Sequence, residues 1–301
     1  MIWYTRTSYT ICLLLWTVLL LVIPGQGIGA DGTLAGLYAK AQGGSEFERP
    51  QAQELATARR LFGHMFAGQE PGGDGPGWDS LGYAVQTVQD QGRSYLVIRE
   101  THHQGQGMFV FALDSRSRTA LMVPHGMKDL HTANLGIQCM QRGDFIALAL
   151  NTMPRYTDSG RDLEEQDLAH VQATLFTVFT KAFAQAFPSG RLVQVHGFAQ
   201  GKRRTQAGKR AEVILSTGSP VLTQDIFDLA RCLDQDISGP VTLYPLQVQE
   251  LGGTTNVSGN ILQSMGHTGF VHCELAYPLR KRLLHSSRLQ GAFVSCLELV
   301  P

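Results

Sequence analysis

The sequence predicts an α/β fold: a mixed, mostly parallel sheet with helices on both faces. Three observations predict it. Short apolar, β-branched runs recur at YLVIRE (95–100), TALMVPH (119–125), FIALALNT (145–152), LVQVHGF (192–198) and AEVILSTG (211–218). Segments with three- and four-residue apolar spacing lie between some of them, and strands alternating with helices give layered sheets. The 301 residues are 43% hydrophobic and 17% charged, which suits a sizeable core and excludes a disordered chain.

The N-terminus is read first. Ile11 to Ile23 form an apolar run of thirteen residues with Thr17 the one polar member, ended by Pro24 and Gly25 and followed by small residues to Ala30. This is the pattern of a cleaved signal peptide, residues 1–30, and is short for a membrane span, which needs about 20 apolar residues. The chain is therefore expected to be exported, periplasmic or extracellular, without a stable membrane anchor. Residues 31–80 are expected to hold a helix over 46–66, with Leu55, Ala58, Leu61, Phe62 and Met65 on one stripe, and then the Gly/Pro-rich loop 67–80. Residues 81–301 are expected to form the α/β domain.

Within it, YAVQTVQ (83–89), YLVIRE and GMFVFALD (107–114) read as strands, followed by TALMVPH and FIALALNT. A helix is expected over 162–187, with Leu168, Val171, Leu175, Phe179, Ala182 and Ala186 as its stripe and Pro188-Ser189-Gly190 as its stop. LVQVHGF and AEVILSTG follow, then a helix over 223–233. FVHCELA (270–276) and AFVSCLEL (292–299) read as late strands.

Composition narrows the function. The 25 basic and 25 acidic residues cancel, so binding to nucleic acid through bulk positive charge is not expected. Beyond the signal, Cys139, Cys232, Cys273 and Cys296 permit two disulfides in an exported chain, or buried thiols. No CxxC pair, P-loop or G-x-S-x-G elbow is present; STGSP (216–220) does not match the last of these.

The chemistry-bearing residues fall at strand ends, where open α/β sheets bind ligands. MVPHGMKDLHT offers His125, Asp129 and His131; LVQVHGF offers His196; FVHCELAYPLR offers Glu274 and Arg280. Two imidazoles and a carboxylate suit a Zn²⁺ ion with an open fourth position, and Glu274 is the carboxylate left over to carry protons. Asn151 and Arg155 in NTMPR follow another strand and, like Arg280, suit a substrate carboxylate or an oxyanion. The basic run QGKRRTQAGKR (200–210) either steers an anionic substrate or is a solvated loop. His102 and His103 read as strand or loop residues. Asp167 and His170 read as a polar helix face, or as a support that fixes a ligand imidazole. His272 shares a strand face with Glu274. Asn256 in TTNVSG matches the N-glycosylation pattern.

This order of motifs, over about residues 95–285, resembles the zinc carboxypeptidase-like superfamily, with its aspartoacylase, N-formylglutamate amidohydrolase and poly-γ-glutamate hydrolase relatives. The resemblance implies metal binding by His125, His196 and either Asp129 or His131. It implies that Glu274 acts as general base and then general acid. It also assigns Arg155 or Arg280 to the substrate carboxylate. The family spaces its first ligands as His-x-x-Glu, whereas here the spacing is His-x-x-x-Asp. The function expected is an exported zinc hydrolase of an amide or peptide bond, acting on a small peptide or acylated amino acid. The alternative is a non-catalytic cell-envelope binding protein on the same scaffold, which would need no base at Glu274.

Overall fold

A central parallel strand is covered on both faces and so is apolar on both, unless a polar side chain there finds a buried partner. A computed structural model describes residues 32–44, 47–69, 76–154, 167–237 and 239–299. The signal-peptide reading, residues 70–75 of the Gly/Pro-rich loop and Arg155 lie outside the described residues.

The helices are α1 (Leu34–Ala41), α2 (Ala52–Phe66), α3 (Thr132–Arg142), α4 (Leu175–Ala186), α5 (Gln206–Arg210), α6 (Gln224–Asp236), α7 (Val257–Ser264), α8 (Tyr277–His285) and α9 (Ser287–Glu298). The strands are β1 (Tyr83–Asp90), β2 (Arg93–Glu100), β3 (Met108–Ala112), β4 (Thr119–Val123), β5 (Ala147–Leu150), β6 (Arg191–Phe198), β7 (Val213–Ser216), β8 (Val241–Leu243) and β9 (Phe270–Ala276). They form one mixed sheet in the order β1-β2-β3-β5-β4-β6-β9-β7-β8. The four central strands, β5, β4, β6 and β9, are mutually parallel; β1, β2 and β3 make an antiparallel wing, and β7 joins β9 antiparallel.

Helices cover both faces, as expected. On one, α3, α6, α8 and α9 pack against Leu121, Val123, Val193, Val195, Val271 and Leu275. On the other, α2 and α4 build an aromatic layer with Phe62, Phe66, Phe109, Phe176 and Phe179, which packs on Ala120, Met122, Leu192 and Phe270. Neither α1 nor α2 stands apart: Leu34 joins the first core and Phe62 the second.

Three expectations are corrected. The helix expected over 162–187 is α4, which begins only after Thr174, whose hydroxyl accepts from the Thr177 N–H at 3.2 Å. Ala173 has a positive φ of 56°, which no α-helix continues through, so Leu168 and Val171 lie in turns before it. The run 292–299 is not a strand but the end of α9, capped by Ser286, with Phe293, Val294 and Leu297 on the helical face that meets the core. The helix expected from residue 46 starts at Ala52, after Pro50, with the Gln51 N–H held by Glu54 at 2.6 Å. One disulfide is formed, Cys232–Cys296, tying α6 to α9; Cys139 and Cys273 are buried thiols.

The connections position the site. The chain leaves β4 through α3 and β9 through α8, both on the first face. It leaves β6 through α5, where Ala207 packs with Ile214, the register partner of Glu274 on the second face. β6 lies between β4 and β9, so connections diverge around its carboxyl end.

Candidate metal centre

Side chains alternate along β6 and β9, so Leu192, Gln194 and His196 share one face with Phe270, His272 and Glu274, cross-paired in that register. The first pair is apolar and belongs to the aromatic layer. The next two pairs are polar yet 0–7% exposed. Beside them, Pro124 ends β4 and His125 begins a turn. The His125 carbonyl accepts the Lys128 N–H at 3.0 Å and the Asp129 N–H at 2.8 Å. That four-residue closure puts His125 and Asp129 on one side, so the His-x-x-x-Asp spacing suits a helical turn rather than an open loop.

The structure brings His125, Asp129 and His196 together. The two Nδ1 atoms are 3.2 Å apart, and Asp129 Oδ2 stands 3.6 Å from that of His125 and 3.9 Å from that of His196. A triangle with these sides has a circumscribed radius of about 2.1 Å, the length of a Zn–N bond. Asp129 Oδ2 also accepts the Gly197 N–H at 2.9 Å, which fixes the carboxylate against β6.

The far nitrogens set the tautomers. His125 Nε2 meets Asp167 Oδ1 at 2.8 Å, and His196 Nε2 meets Gln194 Oε1 at 2.8 Å. Both partners are acceptors, so both Nε2 atoms carry protons and both Nδ1 atoms turn lone pairs inward. Two lone pairs and a carboxylate oxygen converging in a buried space call for a cation. In the metal-free protein that cation is a proton. Burial opposes charge on His125, but hydrogen bonds to and the charges of Asp129 and Asp167 outweigh it and raise its pKa to about 9.

Glu274 lies alongside: it forms a second close group with His196 and His272, and its Oε2 is buried without a hydrogen-bond partner among the described residues. Burial, then the charge of Asp129, raises its pKa to about 8 against the pull of His125, Arg203 and Arg280. His272 Nε2 is 4.0 Å from Glu274 Oε1, and its ring centroid is 4.5 Å from that of His196. Burial, then the charges of His125 and His170, lowers its pKa to about 4, so His272 is neutral near pH 7.

Other sequence candidates sit elsewhere or serve differently. His131 caps α3 at a positive φ of 79° and stacks on Tyr277, and it joins no metal-competent group among the described residues. Arg280 is buried, its Nη atoms donating to the Leu130 and Phe198 carbonyls. It thereby ties the loop after β4 to the end of β6. Gly197 makes this crossing possible, since a Cβ there would collide with the Arg280 guanidinium. Asn151 spends its amide on the Pro124 carbonyl and the Met153 N–H. His103 faces the Ala41 carbonyl, at the end of α1, at 3.2 Å. In the basic run, Glu250 organises the turn: it accepts from the Arg204 and Thr205 N–H groups and pairs with Arg203 at 3.5 Å.

Asp167, one of two readings for that segment, supports an imidazole rather than a plain polar face. Gln194 and Asn256 were missed. The signal for Gln194 was visible: Gln and His two apart in an otherwise apolar strand share a face and need buried partners. Asn256 is not a glycan acceptor site but a buried helix cap, its Oδ1 accepting the Gly259 N–H at 3.2 Å.

No family model matches this sequence, and no curated protein matches it. Among solved structures, a candidate metallopeptidase from Shewanella amazonensis SB2B aligns with 84% of this chain and 99% of its own at 11% identity, with a TM-score of 0.38. A second, from Shewanella denitrificans OS217, aligns with 82% of this chain and 89% of its own at 11% identity, with a TM-score of 0.36. Likeness this remote assigns neither family nor activity to the chain.

Proposed function

We propose that the protein is a metal-dependent hydrolase of an amide or peptide bond, with His125, Asp129 and His196 as ligands of a Zn²⁺ ion. The observation that carries this reading is the convergence of two Nδ1 lone pairs and Asp129 Oδ2 on one buried point. The order of these residues and Glu274 along the chain, similar to that of the zinc carboxypeptidase-like superfamily, supports it. A divalent ion held there supplies a Lewis acid that polarises the scissile carbonyl and acidifies water.

Glu274 takes the proton from the attacking water and returns it to the leaving nitrogen. Its raised pKa keeps it protonated in the metal-free protein; a nearby dication favours its ionised form. Arg280 offsets the charges of Asp129 and Glu274 and holds the two loops together. In this reading the anionic end of the substrate falls to Arg155 of the NTMPR motif. The substrate class is a small peptide or acylated amino acid bearing a carboxylate. Export follows from the apolar segment before residue 31 and is supported by the Cys232–Cys296 bond, which persists in oxidising compartments.

The test is Glu274→Gln in protein loaded with Zn²⁺, assayed on N-acyl amino acids and short peptides. Loss of hydrolysis with metal retained supports the role; unchanged hydrolysis contradicts it. Metal and ligand binding without turnover in the unmodified protein would favour the envelope binding protein instead.

A further inference from the structure

We propose that Asn256 and Gln194 are positioning residues, forming a polarity relay that holds His196 in the Nε2–H tautomer and so commits its Nδ1 to the metal. This rests on the reading of His196 as a ligand. The relay begins at a backbone group whose polarity is not adjustable. The Gly259 N–H can only donate, so the Asn256 atom that accepts it at 3.2 Å is Oδ1. The other end of that amide, Nδ2, then donates to Gln194, and the atom receiving it is Oε1. Gln194 Nε2 points the opposite way, 3.1 Å from the Met122 sulfur, which has no proton to give. Gln194 is thus oriented from both sides. Its Oε1 stands 2.8 Å from His196 Nε2, and an acceptor oxygen there requires a proton on that nitrogen.

None of these groups has water to fall back on: Gln194 is 0% exposed, Asn256 2% and His196 4%. A reversed amide would bury two facing oxygens or two facing donors, at the cost of an unsatisfied polar group. The N-terminal cap of α7 therefore has a second task. It passes the fixed polarity of a helix end, through one amide on β6, to a ring nitrogen at the centre. His125 receives the same orientation from Asp167, a carboxylate. The difference has a chemical consequence: Asp167 brings a negative charge that makes His125 more basic, whereas Gln194 orients His196 without adding charge.

Asn256→Asp separates the relay from the cap. Aspartate still accepts the Gly259 N–H and caps α7, but it presents an oxygen to Gln194 in place of Nδ2. The Gln194 amide is then expected to turn over, offering its NH₂ to His196 Nε2 and driving the ring toward the Nδ1–H tautomer. Gln194→Glu is the opposing control, because either carboxylate oxygen still accepts from His196 Nε2–H. The direct readout is the ¹⁵N shift pair of His196 in metal-free protein at pH 7, assigned by comparison with His196→Gln. The expected result is Nε2–H in the unmodified protein and in Gln194→Glu, and Nδ1–H or a mixture in Asn256→Asp. Zn²⁺ affinity should fall roughly 10- to 100-fold in Asn256→Asp, the usual range for loss of an outer partner. An unchanged His196 tautomer in a folded Asn256→Asp protein would overturn the relay, as would an Nδ1–H tautomer in the unmodified protein. If the tautomers behave as expected but no variant or parent binds Zn²⁺, the relay stands and the hydrolase reading falls.

Discussion

The face of the sheet under α2 and α4 has two regions that are equally buried and built from opposite materials. At its lower end, Leu192 and Phe270 join Phe62, Phe109, Phe176 and Phe179 in an aromatic layer. One and two steps up the same strands stand Gln194, His196, His272 and Glu274. The lower region is held by buried area and dispersion, which are non-directional and tolerate shape-conserving exchange. The upper region is held by donor and acceptor matching, which tolerates little. Burial alone therefore does not mark a core. What distinguishes the site is buried polarity that is satisfied outward, through Asp167 and Gln194, and left converging inward.

Breaking the upper region should cost activity rather than stability. Glu274→Gln keeps the shape of the side chain and is expected to lower turnover by about 10²- to 10⁴-fold, the scale of general acid–base catalysis. Steady-state kinetics on the zinc-loaded protein, with metal content measured beside it, checks this. Breaking the lower region should do the reverse. Phe62 is 0% exposed and meets Trp78, Phe109 and Phe179 edge-on. Phe62→Ala should lower unfolding stability by about 3–5 kcal/mol in urea titration and leave Zn²⁺ affinity within about twofold.

The disulfide sharpens the contrast, since it lies against the opposite face and spans 64 residues. Replacing Cys232 and Cys296 together by Ala is expected to cost about 2–4 kcal/mol of stability without changing metal affinity. Calorimetry of the pair variant measures the first, and a competitive chelator titration the second.

A further effect is a pH dependence that only the polar region can produce. His125 holds its proton to about pH 9, against 6.5 for an ordinary histidine. A metal must displace that proton, so Zn²⁺ affinity should rise at least about tenfold per pH unit between 6.5 and 9 and then level. The same group stabilises the metal-free fold fully below pH 6.5, and this contribution disappears as pH rises through 9. Glu274, raised from 4.5 to about 8, acts with the same sign, its contribution fading as pH rises through 8. The melting temperature of metal-free protein should therefore fall between pH 6.5 and 9, and thermal scans with and without Zn²⁺ test it.

Much of this was legible in the residues. The α/β class, the central strands and the placement of His125, His196 and Glu274 at strand ends followed from period-two and period-three-to-four patterns. Asp129 was named, although the turn that makes its spacing work depends on backbone hydrogen bonds to the His125 carbonyl. What stayed hidden is set by tertiary partners. AFVSCLEL has strand-like composition, but Ser286 caps it and the helical face of Phe293 and Leu297 meets the core. Asn256 looked like a surface sequon because a cap and a sequon share the same residue types. Arg280 looked like a substrate clamp, and only the neighbouring strand's carbonyl and Gly197 reveal it as a brace.

The central claim is that His125, Asp129 and His196 hold one metal ion. Isothermal titration of Zn²⁺ into chelator-stripped protein at pH 8, beside His196→Ala, tests it most directly. The expected result is one ion per chain in the unmodified protein, with proton release, and binding weakened at least about 100-fold in the variant. Stoichiometric binding unchanged in His196→Ala, or no binding to the unmodified protein, would contradict it.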